Sequence, residues 1–159
     1  MSARLSRPMP RRDTGGGRFR GPRDVLLAVR VALWLVLSTA LARRAGLIRT
    51  LTLLRPKRPS RQTEEETLAR ARRIQRYADG LMRRRPFGTR PVCWRRALVQ
   101  YRMLPSGPGR EVRIFFGVQQ ESAGELEGHA WVELNGSAVD GTVPGRYHVT
   151  LAYPPARPR

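Results

Sequence analysis

The apolar residues of this chain change period at one place, and that change decides the fold class. Ahead of Pro105-Ser106-Gly107-Pro108-Gly109 they recur at helical spacing, and after it they alternate. Leu68, Ala71, Ile74, Ala78 and Leu81 share one helix face; Trp94, Ala97, Leu98, Tyr101 and Leu104 share another. Thr63 opens the first of these helices with Glu66 three residues on, a capping box. Its acidic start and the Arg83-Arg84-Arg85 run at its end both suit the helix dipole. Thr89 is placed to cap the second helix, with Pro91 in the first turn. Beyond the break, Val112, Ile114, Phe116 and Val118 alternate with Arg113, Phe115 and Gly117, the pattern of a strand. Gly128 to Leu134 reads as a second strand, Asn135-Gly136 as a type I′ turn and Ser137 to Asp140 as the returning strand. Arg146 to Tyr153 supplies a fourth. Helices followed by an antiparallel sheet make an α+β fold.

The front of the chain has a different character. Residues 1–62 hold 15 basic and 2 acidic side chains, a net of +13 out of +19 for all 159 residues, whereas residues 104–153 hold 3 basic and 6 acidic. Residues 1–23, rich in Arg, Pro and Gly, form a basic tail with too little apolar surface to fold. Residues 24–62 are a hydrophobic helix, with Asp24 as its cap and Gly46 as its stop, and a linker at Pro56-Lys57-Arg58-Pro59. The folded domain is placed at 63–153, and 154–159 is a short tail. The helix has only 12 uncharged residues between Arg30 and Arg43, below the roughly 18–20 of a membrane span. Its apolar character on every side nevertheless leaves three readings: a core helix, a partner-facing helix, or a membrane helix, single-pass or in peripheral contact through 24–45. Ala40-Leu41-Ala42 imitates a signal cleavage site, but the charged region ahead of it is as long as most whole signals.

One cysteine excludes an intramolecular disulfide and any multi-thiolate metal site, and makes a reducing, cytoplasmic setting the default. That cysteine, Cys93, falls in the first turn of a helix, where backbone N–H groups and the dipole favour a thiolate. A thiolate nucleophile needs an imidazole as base and a group to orient it, and His129 and His148 are the only histidines. Hairpin register separates them. With Asn135-Gly136 as a two-residue turn, Glu133 pairs with Ala138 and Trp131 with Asp140, which puts His129, Trp131 and Asp140 on one face. Asp140 is then diagonal to His129 at roughly 7 Å, while Glu133 lies roughly 13 Å along the strand. A slip of one residue turns Asp140 to the other face. Cys93, His129, His148 and Asp140 are metal ligands by type, but no pair has a recognised ligand spacing. No cofactor is implied.

Cys93-Trp94-Arg95-Arg96-Ala97-Leu98, Ile114-Phe115-Phe116-Gly117-Val118 and Gly128-His129-Ala130-Trp131-Val132-Glu133, followed by Asn-Gly and an Asp, resemble the transglutaminase-like cysteine peptidase superfamily. More closely, they are similar to the leader peptidases of lasso peptide biosynthesis, over about residues 63–153. The resemblance implies a papain-like core of helices on a small antiparallel sheet, with Cys93 as nucleophile, His129 as base and Asp140 as orienter. It implies a precursor peptide as substrate, and as partners a separate leader-recognition protein and a lasso cyclase. A leader-recognition domain is fused ahead of the protease in some relatives; a basic tail plus one helix does not look like it. The insert Pro105–Gly109 departs from the pattern at the expected rim of the cleft. Among oxyanion donors the Cys93 N–H is the first candidate.

Two other readings stand beside this one. The basic front of the chain could bind nucleic acid or anionic lipid without catalysis, although only Phe19 and Trp34 are aromatic there and no nucleic-acid motif is present. The same acyl-enzyme could also be resolved by an amine in place of water, as transglutaminases do.

Overall fold

The computed structural model describes residues 21–56, 62–84, 92–120, 125–143 and 145–155. The tail at 1–20, the Lys57–Pro59 part of the linker and the Thr89 and Pro91 signals lie outside them. Four helices precede the sheet: α1 (Pro22–Ala45), α2 (Leu47–Leu54), α3 (Glu64–Met82) and α4 (Cys93–Met103). Then come β1 (Val112–Gln120), β2 (Leu126–Leu134), β3 (Ser137–Ala138) and β4 (His148–Tyr153). The sheet is antiparallel in the order β3-β2-β1-β4.

Asp24 is not the cap of α1. The helix starts three residues earlier, with Gly21 at the cap and Pro22 in the first turn, where a missing N–H costs nothing. Asp24 instead lies buried in that turn and pairs with Arg73 of α3. Gly46 ends α1 as expected, at φ +76°, and at once starts α2, a helix hidden in the sequence inside the linker. α1 packs on α3 and α4, and its Val31 and Leu35 join Leu51, Leu54, Ile74 and Leu98 in one core. Its outer side keeps Leu26, Val29, Leu33 and Val36 half or more exposed. The uncharged run within α1 is 12 residues, as read from the sequence, but the helix extends beyond it on both sides. A single Arg30 does not spoil α1, which over 18 residues has mean hydropathy 2.2 and could span by length and composition, with 22% of that window buried.

The capping box forms in both directions: Thr63 Oγ1 accepts from Glu66 N at 3.2 Å, and Glu66 Oε2 accepts from Thr63 N at 2.8 Å. α4 begins at Cys93 with Val92 as its cap and no side-chain cap bond. Leu104 and Pro105 are buried, and the break closes as a tight turn between Gly107 and Arg110.

The hairpin adopts the register read from its turn. Asn135 and Gly136 have φ +50° and +82°, and Glu133 pairs with Ala138 and Leu134 with Ser137. β3 is shorter than expected. After Val139 N donates to Val132 O at 2.9 Å, the Asp140 side chain accepts from Thr142 N at 3.0 Å, and this local turn replaces further ladder bonds. Across β1 and β2, Ile114 pairs with Val132 and Phe116 with Ala130, and this face packs on α4. Alternation sends Phe115, Gly117, His129 and Trp131 to the opposite face, where Phe115 and Trp131 stack at 5.4 Å.

Candidate active site

Early termination of β3 leaves the Gly128–Ala130 edge of β2 to the N-terminus of α4. The Cys93 thiol lies 3.9 Å from Gly128 O, to which it donates. Burial alone pushes this half-buried thiol up; the His129 imidazole and its charge, with the Ala130 and Trp94 N–H groups, bring it below the ordinary thiol range. The helix start that the sequence singled out contributes through the Trp94 N–H, behind the influences of His129 and of Ala130 on β2.

His129 reaches the other way through Nε2, 3.1 Å from Thr142 Oγ1 and 3.4 Å from Asp140 Oδ2. That leaves Nδ1 as the nitrogen for Cys93. The Asp140 and Cys93 hydrogen bonds outweigh burial and raise the imidazole to about 9, so it is cationic at neutral pH beside an acidified thiol. Asp140 has a 4% exposed side chain. Burial pushes its carboxyl up, but His129, the Thr142 hydroxyl and N–H, and the Arg96 charge together hold it below the usual carboxylate range. The structure therefore brings Cys93, His129 and Asp140 together.

His148 stays apart, exposed on β4 opposite Val118. Glu133 accepts from Trp131 Nε1 at 3.0 Å. No group of three or more His, Cys, Asp or Glu side chains that could hold a metal is present among the described residues.

Three residues of the site escaped the sequence reading. Thr142 donates to Asp140 Oδ1 at 2.6 Å, and Asp-x-Thr after a strand is a turn signal that could have found it. Arg96 donates to Asp140 Oδ2 at 3.3 Å and lies 3.6 Å from Asp79 Oδ2 of α3. Its place three residues after Cys93 was a usable signal, because i and i+3 share a helix face. Tyr147 stacks on His129 at 4.9 Å, and nothing in its local sequence announces this. Arg96, His129, Asp140, Thr142, Tyr147 and Gln75 line a cavity of about 250 Å³. The Pro105–Gly109 insert is not part of its wall.

Residues 32–152 match the family described as the transglutaminase-like superfamily, which is most of the chain. The chain belongs to that superfamily. Neither a curated protein nor a solved structure gives a significant match. Transglutaminase-like domains are generally cysteine peptidase-like or acyl-transferring enzymes, and the match begins inside α1, the helix whose inner side helps to build the core.

Proposed function

We propose that the chain is a cysteine peptidase that removes the leader from a ribosomally made lasso peptide precursor. The observation that carries this is Cys93 at the first position of α4, its thiol lowered by an imidazole that Asp140 and Thr142 hold. The Cys93 thiolate attacks the scissile carbonyl carbon, and a C–S bond forms. The negative oxygen is met by N–H groups at the uncapped start of α4, with that of Cys93 first. The His129 imidazolium gives its proton to the leaving nitrogen as the C–N bond breaks, releasing the core peptide as an amine. His129 then takes a proton from water, whose oxygen attacks the thioester. The leader departs as a carboxylic acid and the thiolate returns. Asp140 stays ionised and keeps Nε2 turned away from the sulfur.

Partners follow from the same reading: a separate leader-recognition protein and a lasso cyclase, in the cytoplasm. The outer residues Leu26, Val29 and Leu33 of α1, next to a strongly cationic front segment, support peripheral contact with the inner membrane face. Sedimentation with anionic vesicles at low salt tests that contact, and full-length protein left in the supernatant ends it.

The test of the activity is cleavage of the cognate precursor with the leader-recognition protein present, read by mass spectrometry. Wild type releases an intact leader; Cys93→Ala and His129→Ala do not. Equal cleavage by Cys93→Ala removes the thiolate mechanism and favours a binding role for the basic front segment. A cross-linked mass in place of a free core peptide identifies acyl transfer to an amine instead.

A further inference from the structure

Gly117 and His129 are direct partners across β1 and β2, so a side chain at 117 would stand on the imidazole's own face. That space is used. A Cβ on Gly117 would come 2.9 Å from His148 O, 3.0 Å from Tyr147 Cβ and 3.2 Å from Trp131 Cη2. The β1–β4 register shifts at Phe116/Gly117, where the chain carrying Tyr147 comes in beside the glycine. Tyr147 lies over His129 at 4.9 Å and 24°, while Trp131 lies at 6.0 Å and 14°. Arg146 ties this segment to β1 through Gln119 Oε1 at 2.8 Å and sits 5.7 Å from the Tyr147 ring.

We propose that Tyr147 is a positioning residue: its ring, admitted by the missing side chain at Gly117, holds the His129 imidazole in the plane that reaches both Cys93 and Asp140. An aromatic face also attracts a cation, so the contact favours the imidazolium and, through it, the Cys93 thiolate. The other groups facing this imidazole are Cys93 and Arg96 from α4, and Asp140 and Thr142 after β3. Glu127 of β2 and Arg146 act on the Tyr147 side. The Phe-Gly-Val run of β1 thereby has a physical reason: glycine is the residue that lets a neighbouring chain lie against the imidazole.

The inference rests on the Cys93–His129 pairing behind the proposed activity but is tested without any peptide. Cys93 is the only cysteine, so its alkylation by iodoacetamide, followed against pH, reads the thiolate directly. Tyr147→Phe should keep the wild-type profile, because the ring and not the hydroxyl acts. Tyr147→Leu, which fills similar space without a π face, should move the midpoint up by about half a pH unit. Gly117→Ala, which displaces the ring, should move it the same way; circular dichroism verifies that each variant is folded. If Tyr147→Leu overlies wild type while His129→Ala shifts the profile, the role of Tyr147 is overturned and the pairing stands. If His129→Ala does not shift it either, both fall together.

Discussion

Arg96 donates to Asp140 Oδ2 across 3.3 Å from the helix whose first residue is Cys93. One rigid turn of α4 therefore sets both ends of the Cys93–His129–Asp140 arrangement: the sulfur at one end, and at the other the cation that holds the carboxylate. Because Arg96 also lies 3.6 Å from Asp79 of α3, it joins that helix to the site.

Removing that cation leaves a 4% exposed carboxylate without its guanidinium. Arg96→Met is expected to lower stability by about 2 kcal/mol, the scale of one charge-assisted hydrogen bond, because His129 and Thr142 still hold the carboxylate. Arg96→Lys should recover part of this, since a lysine restores charge but not the two-pronged geometry. Urea unfolding of the two variants beside wild type checks the order; equal midpoints for Met and wild type would show that His129 and Thr142 hold Asp140 without Arg96.

His129→Ala isolates what acidifies Cys93. Without the imidazole, burial remains as the largest influence, opposed only by the Ala130 and Trp94 N–H groups. The pH midpoint of Cys93 alkylation is therefore expected to rise from below the ordinary thiol range toward or above it. An unchanged midpoint would place the acidifying influence on the Ala130 and Trp94 N–H groups alone.

Much of this was legible because it depended on local chemistry. The capping box at Thr63–Glu66, the Asn135-Gly136 turn and the helix-start cysteine each follow from a few neighbouring residues; the turn set the pairing as far as Ala138, and beyond it Thr142 and Arg96 hold Asp140 at His129 in place of the expected strand pairing. What stayed hidden depended on packing between distant segments. Asp24 reads as a cap until Arg73 is seen beside it, and α2 reads as linker because Leu47–Leu54 is too short for periodicity to stand out. Tyr147 meets His129 only because β4 lies next to β1, a strand order that no spacing in the sequence announces.

Asp140→Asn is expected to move two pH profiles in one direction. His129 is raised from 6.5 to about 9, first through its bond to Asp140. A raised folded value means that its stabilisation is complete below about 6.5 and disappears as pH climbs through about 9. In the Asp140→Asn variant the imidazole should titrate lower, so the pH-dependent loss of stability flattens and the alkaline limb of peptide cleavage moves down. Cleavage at neutral pH should fall on the order of a hundredfold, within what general acid–base help supplies. Thermal melts from pH 6 to 10 that superimpose for wild type and variant would contradict the pairing.

Asn135 offers a test of the scaffold away from the chemistry. It occupies φ +50°, accepts from Glu111 N through Oδ1 at 2.9 Å, and donates through Nδ2 to Glu64 Oε2 of α3 at 2.8 Å. Asn135→Ala keeps the positive φ with a residue that tolerates it poorly and loses both side-chain bonds, a cost of about 2 kcal/mol. Asn135→Gly loses the bonds but relaxes the backbone, so it should cost about half as much. Because the turn sets the register that brings Asp140 beside His129, a slip would appear in Asn135→Ala as an upward shift of the Cys93 alkylation midpoint. Stability loss without that shift would show that Arg96 and Thr142 hold Asp140 in place independently of the turn.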